Sequence, residues 1–283
     1  MRLGIQIPDF TYPGGPSMLG ADLARIARTA DDGGFDVIAV MDHFWQIGPV
    51  GPPERDMLEA WSTLAFLAAH TSRAQLLTLV TGTIYREPGL LAKTVSTLDV
   101  LSGGRAMLGI GAAWNEEESL GLGFAFPPVS ERFERLEETL QICRQMWSDS
   151  EEPYAGKHFQ LARTLNVPQP LHPIPVMIGG SGEKKTLRLV AQYGDACNLF
   201  PGPDLAHKLD VLRGHCDAVG RDYDEITKSV YYLYDGSPQK MVDELGGLAA
   251  LGFSLALGGV RDVHTITPLE TIASEVLPQV AAL

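Results

Sequence analysis

The chain has three cysteines, Cys143, Cys197 and Cys216, far apart and without a CxxC pair. An odd, scattered set gives neither a disulfide framework nor a zinc cage. Free thiols and no metal site are therefore expected, in a reducing compartment such as the cytoplasm. Basic residues are also scarce: 22 Lys and Arg stand against 35 Asp and Glu, a formal net charge of −13. The densest basic run is Lys184-Lys185. Neither nucleic acid nor an anionic membrane surface is an expected partner for such a chain. No apolar run approaches the roughly 18 residues of a transmembrane helix. The opening MRLGIQIPDF meets a proline and an aspartate by residue 9, too early for the apolar core of a signal peptide. GxGxxG, Walker, HExxH and GxSxG patterns are all missing, which removes the simplest readings as a dinucleotide-binding, nucleotide-hydrolysing, zinc-protease or serine-hydrolase fold.

Hydrophobic residues make up 45% of the 283 positions and charged residues 20%, an ordinary globular balance. Short apolar runs alternate with longer helical patterns. Strands are predicted over Leu3–Pro8, Asp36–Met41, Gln75–Thr81, Ala106–Ile110, Val176–Gly179, Ala196–Leu199, Thr227–Leu233 and Phe253–Leu257. Helices are predicted over Ala21–Asp32, Leu58–Thr71, Gly89–Leu101, Arg132–Trp147, Glu183–Tyr193, Leu205–Val219, Pro238–Leu251 (capped by Ser237) and Pro268–Ala282. Near-continuous apolar strands imply burial on both faces, as in a parallel sheet. Eight βα units in this length predict a (β/α)8 TIM barrel, one α/β domain over residues 1–283 with insertion segments. An open doubly wound sheet is the structural alternative. The insertions are 44–57 and 151–175, both rich in proline, and each is expected to act as a lid or cover.

Barrel enzymes carry their chemistry at the C-terminal ends of the strands. The second predicted strand ends in Asp42-His43, a histidine beside a carboxylate and so a candidate acid–base element. Without function, Asp42 would cap the following loop and His43 would pack beneath it. The fifth ends in Gly179-Gly180-Ser181-Gly182, a glycine turn entering a helix, which suits a phosphate or another anion. The plainer alternative is a tight turn capped by Ser181. Lys184 and Lys185 either add charge there or face water. Glu116-Glu117-Glu118 reads as a solvated helix start, with paired acid–base groups as the alternative. Phe44, Trp45, Trp61, Tyr85 and Trp114 either stack on a planar ring or anchor core and loops.

Five segments then form a pattern in order: LGIQIP, ADDGGFDVIAVMDHF, LVTGTIYREPGLLAKTVSTLDVLSGGRAMLGIGAAWNEEE, RLEETLQICRQMW and PVMIGGSGEKKTLRLVAQYGDACNLF. The chain resembles the luciferase-like monooxygenase superfamily over most of residues 1–200, and within it the oxidoreductases that use coenzyme F420, a deazaflavin. The resemblance implies a barrel with a deazaflavin at its C-terminal mouth, or FMN as the alternative. It implies cofactor contacts at Asp42, Thr78, Leu79, Val80, Thr81, Gly111, Asn115, Gly179, Gly180 and Ser181. A bulge with a non-proline cis peptide is implied within Thr78-Leu79-Val80. His43 matches a catalytic histidine, with Asp42 expected to orient it. Homodimers are common in the family, so a homodimer is implied.

The chain departs from the sugar-phosphate dehydrogenases of that family at three places. Ala112 stands where they have a glutamate, Ile47 where they have a tryptophan, and Phe200 near their phosphate-binding lysine. These changes predict a small, rather apolar substrate and leave His43 without the family's acid partner. Hydride transfer to or from F420 is the expected activity. An FMN-dependent monooxygenase and a non-catalytic flavin-binding barrel are the alternatives.

Overall fold

The computed structural model describes residues 1–283. Eight strands close a parallel barrel: β1 Arg2–Ile7, β2 Val37–Val40, β3 Gln75–Thr78, β4 Ala106–Gly111, β5 Val176–Gly179, β6 Ala196–Leu199, β7 Thr227–Tyr231 and β8 Leu255–Gly259. Each pairs in parallel with the next, and β1 closes on β8 through Arg2↔Leu255 to Gln6↔Gly259. Closure removes every free sheet edge, and the open-sheet alternative falls with it.

The helices run outside: α1 Leu19–Asp32, α2 Ala60–Ala68, α3 Pro88–Ser102, α4 Glu116–Gly121, α5 Val129–Met146, α6 Thr186–Tyr193, α7 Leu205–Val219 and α8 Pro238–Ala250. A last helical run, Thr267–Thr271, passes through a π turn at Ile272–Val276 before Leu277–Val280. Pro278 sits just past that turn. It has no N–H to return to Ser274, which interrupts the α ladder there. Ser237 caps α8 as predicted, accepting from the Lys240 N–H. No helix is long and apolar enough to cross a membrane.

Apolar residues fall into two clusters. The larger fills the shell between strands and helices. The smaller, Val37, Ala39, Leu77, Met107, Met177, Ala196, Leu255 and Leu257, plugs the lumen. Strands buried on both faces need both clusters, which is why they read as continuous apolar runs. The three cysteines are buried free thiols, and burial pushes the Cys143 thiol up to about 12.

The second insertion is not a lid. Residues 154–161 form a small hairpin, Tyr154–Ala155 against Gln160–Leu161, whose Lys157, His158 and Phe159 N–H groups donate to Glu138 on α5. The following stretch is tied to α3 by Asn166 to Ser96 and by the Leu171 N–H to Asp99. It straps α3 and α5 together, because its polar backbone finds its partners on those helices.

Candidate active site

Alternate residues of each strand face the lumen. One or two steps beyond the lumen plug lie Met41, Leu79, Gly111, Gly179, Asn198 and Gly259, with Gln6 of β1 and Tyr231 of β7 on the same face. Three of these eight positions are glycine, which leaves room at the mouth. The β3–β4 register, Leu76↔Ala106 and Leu77↔Met107, slips by one residue before Thr81↔Ile110 and Gly82↔Gly111. That slip is a bulge, and within it the Leu79-Val80 peptide is cis, as the resemblance implied. The Leu79 carbonyl accepts from Gln6 Nε2 at 3.1 Å. Val80 lies across the ends of β4 and β5. A Cβ on Gly179 would stand 2.9 Å from Val80 Cγ1, and one on Gly111 would stand 3.1 Å from Val80 Cγ2. Only glycine leaves that room.

His43 follows β2 at the mouth and is 8% exposed. Its Nδ1 lies 2.7 Å from Glu118 Oε2, whereas Nε2 has no hydrogen-bond partner within the chain. The Tyr85 hydroxyl donates to the same Oε2 at 3.0 Å. Glu118 Oε1 accepts the Phe44 and Trp45 N–H groups, the latter at 2.9 Å. Burial pushes the Glu118 carboxyl up, but the bonds from His43, Trp45 and Phe44 outweigh it and hold it below the usual range. Trp114 meets the His43 ring edge-on, with centroids 5.5 Å apart, and is 60% exposed.

Two expectations change here. Asp42 does not orient His43: its carboxylate takes Arg86 Nη1 at 2.6 Å and Nη2 at 3.0 Å. Arg86 Nη2 also meets Glu59. Burial drives the Asp42 carboxyl upward against the pull of that guanidinium. Glu118 is not part of a solvated helix start either. Glu116 and Glu117 are exposed, but Glu118 is wholly buried. Its carboxylate, and not that of Asp42, lies at hydrogen-bond distance from the His43 ring, from a position six residues past Ala112. From the sequence, Arg86 has no reading, Tyr85 reads only as a stacking or anchoring aromatic, and Glu118 only as part of an acidic run, with acid–base work as the alternative. The one signal for Glu118 is its place three residues after Asn115, which caps α4 by accepting the Glu118 N–H at 3.3 Å. That spacing belongs to a capping box, but here the glutamate reaches to His43 and the 44–45 backbone.

The remaining predicted positions divide by exposure. Asp42, Thr78 and Thr81 are sealed under the mouth, and Gly111 is covered by Val80. Leu79, Val80, Asn115, Gly179, Gly180 and Ser181 are partly open. Gly180 has φ +117°, a conformation that only glycine adopts readily. The α6 helix begins at Thr186, three residues later than expected, and has no side-chain cap. Ser181 therefore does not cap it; its hydroxyl accepts the Phe200 N–H at 3.4 Å. The N–H groups of Ser181, Gly182, Glu183 and Lys184 have no acceptor in the chain. Lys184 and Lys185 are exposed, and Lys185 Nζ sits 5.3 Å over the Phe133 ring. Phe200 is 61% exposed and packs against Tyr231, with centroids 5.8 Å apart. The 44–57 loop is tied to the exit of β1 by Arg55–Asp9 at 2.9 Å and by the Asp56 N–H to Thr11.

The luciferase-like monooxygenase family model matches residues 1–251. The chain belongs to the luciferase-like monooxygenase family. Among its relatives, an F420-dependent glucose-6-phosphate dehydrogenase of Kineococcus radiotolerans is 31% identical over 267 residues, 92% of this chain and 77% of that one. An F420-dependent secondary alcohol dehydrogenase, solved with an F420–acetone adduct, superposes with TM-score 0.84 at 19% identity, over 99% of this chain and 98% of that one. A Streptomyces bottropensis monooxygenase superposes with TM-score 0.82 at 18% identity, over 98% and 99%. At these identities the two structures speak to the luciferase-like barrel fold itself.

Proposed function

We propose that this luciferase-like chain is an oxidoreductase that moves a hydride between coenzyme F420 and a small, rather apolar substrate. The single observation that carries the reading is His43. Its Nε2 has no partner in the chain, and its Nδ1 is held by a buried carboxylate, at a mouth floored by glycine. When bound, the deazaflavin supplies or accepts the hydride. The residues fit such a group: Leu79 and Val80 offer a platform, and Gly111 and Gly179 keep Val80 low. Gly180, Ser181 and the free N–H groups after them suit the anionic tail. Asn115 borders the same opening through its cap of α4. Asp42, Thr78 and Thr81 support this floor from below. His43 holds or releases the accompanying proton at Nε2. Trp114 and Phe200 present exposed apolar surface, and Phe200 stands near where the family's sugar-phosphate dehydrogenases keep their phosphate-binding lysine. The relative's sugar phosphate is therefore not carried over to this chain.

FMN is the second reading for the cofactor, because a single phosphate would satisfy the same loop. Fluorescence titration separates the two. Quenching of F420 at micromolar concentration, with FMN unaffected, is expected; the converse would make the chain a flavin monooxygenase. If neither binds, both readings fail. Retention of cofactor without turnover on any substrate panel would leave a binding barrel. His43→Ala should lower turnover by about 10²–10⁴-fold while leaving cofactor affinity nearly unchanged; equal losses in both would remove the acid–base role. We also propose a homodimer in solution, which sedimentation equilibrium tests.

A further inference from the structure

The orientation of the His43 ring has a definite cause, and its consequence rests on the reading of His43 just given. Glu118 is wholly buried. Its two oxygens meet the Phe44 and Trp45 N–H groups, His43 Nδ1 and the Tyr85 hydroxyl. A backbone N–H only donates, and an ionised carboxylate only accepts. Two fixed N–H donors hold Oε1, and the hydrogen bonds around the carboxyl keep it below its usual range, so at neutral pH it is ionised and can only accept. His43 Nδ1 therefore carries a hydrogen, and in the neutral ring the lone pair falls to Nε2. Two aromatic rings also pack on it, Trp114 at 5.5 Å and Tyr85 at 6.5 Å, each edge-on. The other charged groups near it are committed elsewhere or face water. Asp42 is bound to Arg86, Arg86 also meets Glu59, and Glu116 and Glu117 are exposed on α4.

We propose that Glu118 is a positioning residue that fixes His43 as its Nδ1–H tautomer, so that the bare Nε2 faces the mouth as the proton acceptor. When Nε2 takes a proton from the substrate, the substrate's bond to that hydrogen breaks and leaves its electron pair on the substrate, an N–H bond forms at Nε2, and the ring becomes a cation. Glu118 then balances that charge at hydrogen-bond distance without moving. In the reverse direction the same Nε2–H is the donor. Glu118 thus acts through His43 and touches neither substrate nor cofactor.

The test begins with the wild-type protein free of cofactor. In protein labelled with 15N-histidine, two-bond proton–nitrogen correlation reads which ring nitrogen is bare. The His43 signals among the seven histidines are those lost in His43→Ala. Protonated Nδ1 and bare Nε2 are expected; bare Nδ1 would overturn the proposal with no further variant needed. Glu118→Gln keeps the shape and keeps an oxygen for Phe44 and Trp45, but it turns an N–H group toward Nδ1. The proton should then move to Nε2, and turnover should fall by about 10²–10⁴-fold, as wrong-tautomer changes do in other carboxylate–histidine pairs. The affinity for F420 should hold. Tyr85→Phe leaves the carboxylate in place and should keep the wild-type tautomer. An unchanged tautomer in Glu118→Gln, or unchanged turnover, would overturn the proposal. Failure of the wild type to bind any deazaflavin or flavin would instead sink the functional reading and leave the tautomer result standing by itself.

Discussion

Asp31 and Glu118 are built alike at opposite ends of one barrel. Asp31, near the end of α1, is 3% exposed and accepts the Ser72, Arg73 and Ala74 N–H groups and the Ser72 hydroxyl. Glu118 is wholly buried and likewise meets four donors. Both carboxyls lie below their ordinary pKa although burial alone would raise them, because those hydrogen bonds favour the charged form. What separates them is the nature of one donor. All of Asp31's partners end in backbone or a serine, and they close the turn into β3 at the N-terminal face. One of Glu118's partners is an imidazole whose far nitrogen opens onto the mouth. A buried charge is therefore not in itself a mark of function; what its partners do next decides.

Matched isosteric variants sharpen this contrast most. Asp31→Asn should lower stability by about 1–3 kcal/mol through donors left unpaired, and turnover per folded molecule should be unchanged. Urea melts and active-site titration read the two quantities separately. A loss of turnover beyond the loss of folded protein would break the distinction between the two ends. Next in size, Gly179→Ala places a methyl against Val80, and overpacking of that kind costs about 1–3 kcal/mol. Its effect should fall on cofactor affinity as well, whereas Gly4→Ala, equally crowded by Leu257 and Val37 at the other end, should cost stability alone.

The smallest effect is on pH. Asp31 and Glu118 are depressed from ordinary values of 3.8 and 4.5. Their stabilisation is complete above those values and is lost as pH falls through the lower folded ones. Asp42, raised by burial, works in the opposite sense. Urea midpoints should therefore decline below about pH 4.5, and less steeply in Asp31→Asn. An identical slope in the variant would remove Asp31 from the account.

The barrel was legible because lumen and shell are both apolar, so each strand announces itself as an unbroken run. β5 and β6 fall at their predicted bounds. β8 lies two residues further on than expected, since Gly258-Gly259 looks like a stop. Instead Gly258 continues the strand where a Cβ would lie 2.2 Å from the Tyr232 carbonyl. Of α4 only an acidic helix start was legible, because six residues, three of them acidic, show no apolar period. Glu118 finds His43 75 positions away, a pairing that no local pattern encodes. The exchange of Asp42 for Glu118 as the partner of His43 has the same origin. Arg86 claims Asp42 across 44 positions, and that claim exists only once β2 and β3 lie side by side. The cis peptide and the bulge were foreseen through family likeness, not through spacing.

The carboxylate of Glu118 grips the 44–57 loop at only its first two amides, and Arg55 and Asp56 secure the other end. The stretch between those anchors makes no hydrogen bond to the imidazole. Exchanging residues 48–53 would recut the rim for a different guest while the acid–base apparatus stays in register, so new specificities are open to this scaffold through a single short graft.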